Sequence, residues 1–348
     1  MTRNKNNLIL FLILILLIPT LSVAQQNLPF TVKWRSVREV KELQQKATRP
    51  ILILFYDPAD DSSKMYIQNT FSQRTVVGYV NSAFYAIKFD VTTDSVIDYF
   101  DNNTYTKKPG SRYHDLVMKL TGDKPALPTL VVYNRNAKGY TFSGYRNPDD
   151  MVCILTYIAE NVDLTTEFNV WAKEFSNTYF PEKDTAENPA GINWMSLKDA
   201  LAASKENPKY MYINWYTTWS TPCNVMMHNA FSDKYIARFM NEYFYCVRLD
   251  AQTMDTLYWG KQYYNENKPH HYHQMVLAML EGKLFFPAHI FFDKEGQIIQ
   301  HDQVFVSKPD FYMLANFIAT GSYKTMKVNE YRKSFFEPPK NEESQIKH

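Results

Sequence analysis

Residues 32–93 can be laid on residues 192–253 at a constant offset of 160 with no gap, which constrains the fold more than any other feature of the chain. Trp34 meets Trp194, Ser36 meets Ser196, Ile53 meets Ile213 and Tyr56 meets Tyr216. Asn69, Phe71 and Ser72 meet Asn229, Phe231 and Ser232, while Asn81, Phe84, Tyr85, Asp90 and Thr93 meet Asn241, Phe244, Tyr245, Asp250 and Thr253. The offset then slips to 159, where Tyr113-His114 meets Tyr272-His273 and Pro128 meets Pro287. An ungapped register of this length implies one folding unit written twice.

Within each unit, helical and strand-like periodicities alternate. Ser36 caps a predicted helix to Lys46, and Ile51–Tyr56 is a short apolar run of strand type. A helical stretch to about Asn81 is broken near Phe71-Ser72, and Phe84–Asp90 reads as a strand. A polar, tyrosine-containing insertion precedes a helix from about Arg112 to Leu120. Pro128 opens the strand Thr129–Tyr133, a turn at Asn136–Gly139 leads to another strand, and a helix from about Pro148 closes the unit. The expected class is therefore α/β, with a mixed central sheet flanked by helices in each unit. The units are expected at 30–161 and 191–322, joined by a linker at 162–190 and followed by a polar, mobile tail at 323–348.

At the N-terminus, Arg3 and Lys5 precede the apolar run Leu8–Ile18, and Ser22-Val23-Ala24 follows. A cationic start, an apolar segment and small residues before a break describe a secretory signal over 1–24. The run is shorter than the ~20 residues of a spanning helix, so an uncleaved anchor is the lesser alternative. Export to a periplasmic or extracellular space follows. The 38 basic and 36 acidic residues leave a net charge of +2, spread without a block. That gives no footprint for nucleic acid or an anionic membrane surface. Three cysteines are too few for a disulfide framework, and Cys153 and Cys246 fall in apolar stretches as core thiols.

The run Trp215-Tyr216-Thr217-Thr218-Trp219-Ser220-Thr221-Pro222-Cys223 resembles the thioredoxin superfamily, whose members carry Cys-x-x-Cys at a helix start after a strand and a tryptophan. Asn229-Ala230-Phe231-Ser232 and the strand ending in Asp250 resemble the branch that includes the C-terminal domain of the membrane thiol-disulfide reductase. The resemblance implies two tandem thioredoxin-like domains. It also implies a cis proline beside each site, at Pro287 after Phe286 and at Pro128 after Leu127. The chemistry the family requires is missing. Its nucleophile is a thiolate at the first cysteine position, here Ser220 in one unit and Asp60 in the other. Serine is not ionised near neutral pH, and aspartate forms no mixed disulfide. The second position is Cys223 in Ser220-Thr221-Pro222-Cys223 and Ser63 in Asp60-Asp61-Ser62-Ser63. Where the family keeps a buried aspartate as base, this chain has Asn214 and Leu54, and an amide accepts no proton near neutrality. Ser220 and Asp60 suit helix N-caps instead.

The residues thus favour a binding module over an enzyme. Trp219, Phe286, Pro287, Leu127 and Pro128 are the expected contacts for an extended protein segment, since the family pairs its substrate with a backbone edge beside the proline. The expected partners are protein clients held by a chaperone-like or assembly module, and no cofactor is expected. The alternatives are a thiol-disulfide exchanger or isomerase acting through Cys223, and a structural subunit of an envelope complex using its aromatic insertions. Tyr99-Phe100 to Tyr105 and Tyr258-Trp259 to Tyr264 suit an interface or a covered sheet edge equally. No metal is expected. The histidine cluster His270, His271 and His273 lacks a cysteine or carboxylate at useful spacing, and a shared packing or capping role for His114 and His273 fits the repeat better.

Overall fold

The computed structural model describes residues 31–122, 124–181, 191–267, 271–282 and 284–337. The leader expected at 1–24, the end of the expected linker, His270 and the end of the tail lie outside the described residues.

The first unit runs β1 (Trp34–Arg35), α1 (Val37–Lys46), β2 (Ile51–Tyr56), α2 (Asp61–Met65) and a π-helical turn at Tyr66–Thr70. It continues through α3 (Arg74–Ala83), β3 (Tyr85–Asp90), a ribbon of β4 (Ile97–Asp98) and β5 (Thr104–Tyr105), then α4 (Asp115–Thr121). Strands β6 (Thr129–Tyr133) and β7 (Gly139–Ser143) and helix α5 (Pro148–Ala159) close it. The sheet order is β1-β3-β2-β6-β7, parallel among β1, β3 and β2 and antiparallel from β2 through β6 to β7.

After α6 (Phe168–Tyr179), the order returns as β8 (Trp194–Met195), α7 (Leu197–Glu206), β9 (Tyr210–Tyr216), α8 (Thr221–Asn229), α9 (Lys234–Tyr243) and β10 (Phe244–Asp250). Short ribbons follow, β11 (Leu257–Trp259) with β12 (Gln262–Tyr264) and β13 (Glu266–Asn267) with β14 (Tyr272–His273). Helix α10 (Gln274–Met279), β15 (Ala288–Phe292), β16 (Ile298–Asp302), α11 (Lys308–Ala319) and α12 (Val328–Phe336) complete the described chain. The second sheet, β8-β10-β9-β15-β16, has the strand order of the first. The architecture is that of two thioredoxin-like sheets, each flanked by helices.

Residues matched by the repeat take matched roles. Trp34 meets Phe71 edge-on at 5.1 Å, and Trp194 meets Phe231 edge-on at 5.2 Å. Asn81 Oδ1 accepts from the Lys33 amide at 2.8 Å, as Asn241 Oδ1 does from the Asn193 amide at 2.7 Å. Helix α4 starts at Asp115 rather than Arg112 because His114 Nδ1 accepts from the Leu116 amide at 3.1 Å, and His273 caps α10 through the Met275 amide at 3.2 Å. The first insertion turns inward, with Tyr99 buried and its carbonyl accepting from Lys41 Nζ at 3.0 Å. In the second, Tyr258 and Tyr263 face solvent while Trp259 packs on Phe292 at 5.1 Å.

Alternation along the central strands sends neighbouring side chains to opposite faces. Ile51, Ile53 and Phe55 lie in a cluster with α1 and α4, and Met211, Ile213 and Trp215 lie in one with α7 and α10. The remaining faces share one core. Leu52, Leu54 and α3 and α5 of the first unit are continuous there with Tyr212 and α8, α9 and α11 of the second. The stretch 162–190, expected only to join the units, also holds α6, which packs into the core: Trp171 is fully buried, meets Phe305 edge-on at 5.1 Å and donates to the Cys153 carbonyl at 3.0 Å. The tail begins with helix α12, whose Tyr331 lies 5.1 Å from Phe317 of α11. Both helices form because their aromatic stripes find apolar partners, which a reading of local polarity does not reveal.

Candidate functional site

Each expected site lies where a central strand ends and a helix begins, beside a cis peptide bond at Leu127–Pro128 or Phe286–Pro287. In the first unit, Asp60 caps α2 and accepts from the Ser63 amide at 2.6 Å. Ser63 is buried and its hydroxyl oxygen accepts from the Asp57 amide at 3.2 Å. Beside them, Asp57 accepts from the Ala59 amide at 2.8 Å and pairs with Arg112 Nη2 at 2.9 Å. The Ala59 amide and then the guanidinium hold the Asp57 carboxyl below the usual aspartate range. Asp57 and Arg112 were not expected from the sequence, since they lie far apart in the chain and differ from their partners in the repeat. Leu54 is buried core.

The second site is built differently. Ser220 precedes α8 but makes no side-chain cap, against expectation. Its hydroxyl donates instead to Glu160 Oε2 at 2.8 Å, with the Phe286 carbonyl as a longer alternative at 3.4 Å. Glu160 comes from the end of α5 in the first unit and supplies the missing cap. Its Oε1 accepts from the Thr221 amide at 3.3 Å and from the Tyr79 hydroxyl at 3.3 Å. Tyr79 of α3 also shares a hydrogen bond of 3.0 Å with Thr221 Oγ1. A carboxylate is a stronger acceptor for a helix amide than a hydroxyl oxygen, and here it accepts from both the Ser220 hydroxyl and the Thr221 amide. Burial raises the Glu160 carboxyl to about 7, against the opposing pull of its bonds from Ser220, Thr221 and Tyr79.

Helix α6 closes over the same helix. Asn229 Nδ2 donates to the Glu174 carbonyl at 3.1 Å and to Thr178 Oγ1 at 2.8 Å. Glu174 is itself buried, and its Oε1 accepts from the Lys308 amide at the start of α11 at 3.0 Å. The first unit and α6 thus seat two carboxylates on two helix N-termini of the second unit, where free amides favour negative charge.

Cys223 is 2 % exposed. Burial pushes its thiol up to about 11, although the Ser220 side chain and the Thr217 backbone favour the thiolate. Asn214 has a structural role, donating to the Ala288 carbonyl at 3.3 Å and accepting from Arg248 Nε at 3.4 Å. Of the expected binding residues, Phe286, Pro287 and Pro128 are buried, Leu127 is half-buried, and Trp219 is 56 % exposed with its indole donating to Gln252 at 3.1 Å. Both His273 ring nitrogens are engaged, Nδ1 by the Met275 amide and Nε2 with the Asp255 carbonyl at 2.9 Å. Among the described residues no cluster of histidine, cysteine and carboxylate groups could hold a metal.

Residues 172–317 match a family model described as Thioredox_DsbH, a protein of unknown function, DUF255. No curated protein matches the chain. Among solved structures, it is similar to a DsbH oxidoreductase at 17% identity and a TM-score of 0.29, over 42% of this chain and 93% of that one. A putative disulphide-isomerase from Bacteroides thetaiotaomicron is 18% identical over 38% of this chain and 97% of its own, with a TM-score of 0.28. A thioredoxin-fold protein from Helicobacter pylori is 17% identical over 36% and 84%, also with a TM-score of 0.28.

Proposed function

We propose that this protein, whose fold is thioredoxin-like, is an exported, redox-silent binding module that holds extended protein segments. The carrying observation is the state of the second site. The residue in the nucleophile's place, Ser220, is buried and bonded to Glu160, and the one thiol nearby is buried with its pKa pushed up to about 11. A thiol so placed is almost wholly protonated at neutral pH, and the thiolate is the attacking species. In the first unit, Asp60 and Ser63 serve the start of α2 and contain no sulfur. What remains of the family's equipment is the backbone edge beside each proline. Main-chain pairing along such an edge needs no cysteine. The edge at half-buried Leu127 is the more accessible, since Phe286 is 6 % exposed and its carbonyl lies within reach of the Ser220 hydroxyl.

Two measurements test this reading. Insulin reduction is expected to be absent from the wild type and unchanged by Cys223→Ser. Turnover that disappears in that variant would make the protein an exchanger acting through Cys223. A photo-crosslinking side chain at position 127 is expected to capture unfolded polypeptide in preference to one at position 286. Equal capture at both, or at neither, would remove the proposed binding edge.

A further inference from the structure

We propose that a groove on the second unit, between α7, the β11–β12 ribbon and the β15–β16 turn, binds a small hydrophobic carboxylate. The inference is independent of what either unit binds beside its proline. The groove encloses about 1170 Å³. Leu201, Met211, Leu257, Trp259 and Phe292 give it an apolar lining, and Tyr258 beside them is 60 % exposed. In the first unit, hydrogen bonds cross the matched region. Lys41 Nζ donates to the Tyr99 carbonyl at 3.0 Å, and the Tyr99 hydroxyl bonds that of Tyr133 at 3.4 Å. Gln44 clasps Arg49, donating to its carbonyl at 2.7 Å and accepting from its amide at 3.0 Å. The internal register puts Leu201 in place of Lys41, Ser204 in place of Gln44 and Phe292 in place of Tyr133. Phe292 pairs with Met211 as Tyr133 pairs with Ile51, which fixes the match. Leu201 and Phe292 carry no polar side-chain atom, and Ser204 is too short for the clasp. Polar closure in one unit thus gives way to an apolar hollow in the other, the usual form of a small-molecule site.

Charge selects the polar end of the ligand. In α1, Arg38 pairs with Glu42 at 3.6 Å. The matched residues of α7 are Lys198 and Ala202, so the cation stays and its acid is gone. Lys205, where α1 has Gln45, adds a second cation along the helix, roughly 10 Å away. Both lysines border the groove, and neither pairs with a carboxylate among the described residues. The bordering acids, Asp255, Asp293 and Glu295, stand beside the ribbon or in the turn and not on α7. Asp293 is committed to that turn, accepting from the Glu295 and Gln297 amides at 3.0 and 2.7 Å. An anionic head on the α7 lysines, with an apolar body against Trp259 and Phe292, matches both the charge and the lining. The α7 wall offers no main-chain partners to an extended peptide, because a helix uses its amides and carbonyls internally.

Tryptophan fluorescence with 8-bromooctanoate, near neutral pH, tests the site, because bromine quenches an indole that it touches. Saturable quenching is expected in the wild type, reversed by octanoate and lost in Trp259→Phe. The uncharged 1-octanol is expected to compete at least about tenfold less well than octanoate. Ala202→Glu restores the acid that α1 has in Glu42, at an exposed position of the helix. It should weaken octanoate by a similar factor and leave 1-octanol unchanged. Quenching that never saturates, or that persists in Trp259→Phe, would overturn the proposal. Equal competition by octanoate and 1-octanol would overturn the carboxylate. An acidic, leucine-containing hexapeptide that displaces the probe where octanoate does not would give the groove to a protein segment instead. The octanoate and 1-octanol comparison uses the wild type alone and stands should a variant fold poorly.

Discussion

At the residue scale, the two sites show how positions matched by the internal register can serve opposite ends. Asp60 accepts from its own helix, whereas the Ser220 hydroxyl donates a hydrogen bond to Glu160, and that carboxyl accepts from the helix amide. Ser220, Asp60, Cys223 and Asn214 were visible as departures from a pattern in the sequence. Glu160, Tyr79, Asp57 and Arg112 were not, because nothing local marks a residue whose partner lies tens of positions away. The Asp57–Arg112 pair makes a prediction at this scale. The Asp57 side chain is 3 % exposed and that of Arg112 is 69 % exposed, so solvent screens the cation and the pair is worth less than a fully buried one. Arg112→Ala is expected to lower stability at pH 7 in urea unfolding, because it leaves the buried Asp57 carboxyl without its guanidinium partner. Because the Asp57 carboxyl is held low in the folded state, that difference should shrink as pH falls through the aspartate range. A loss that persists unchanged at pH 3 would locate the effect in packing.

At the element scale, caps set where helices begin, and those at α1 and α7 were legible because serine stands before each. The histidine caps at α4 and α10 were visible only as a repeated Tyr-His pair. His273 ties the start of α10 to the Asp255 carbonyl, and burial lowers its pKa. His273→Ala should therefore reduce stability by about 1 kcal/mol near pH 8, measured by thermal melting, with an uncapped α10. The neutral ring is the one that accepts from the Met275 amide. With a depressed folded pKa, the contribution is present above the ordinary histidine value and is lost as pH falls through the folded one. A variant with the same pH dependence as the wild type would show that the ring does not titrate in place.

At the scale of the whole molecule, the doubled unit did not produce two independent bodies. Trp171 of α6 lies in a core continuous from Leu52 and Ile154 to Tyr212, Phe305 and Phe311. A shared core makes unfolding of one unit expose apolar surface on the other. One cooperative transition is expected in calorimetry, with the same midpoint by fluorescence and circular dichroism. Trp171→Ala, which empties a large site in that core, should lower stability by about 3–5 kcal/mol. Two resolved transitions in the wild type would mean that the units unfold separately.

What the sequence determined by itself is the class of fold, the ungapped internal register, the prolines before β6 and β15, and the absence of a cysteine pair at the start of α2 and of α8. Each is written in local spacing or in an offset that a single chain displays. Tertiary structure alone decided that α6 is part of the core and that Glu160 of the first unit bonds Ser220 and the Thr221 amide at the second site. Those outcomes rest on contacts between residues distant in the chain. Hydrogen bonds and buried apolar faces choose such partners by shape and position in space, which residue spacing does not encode.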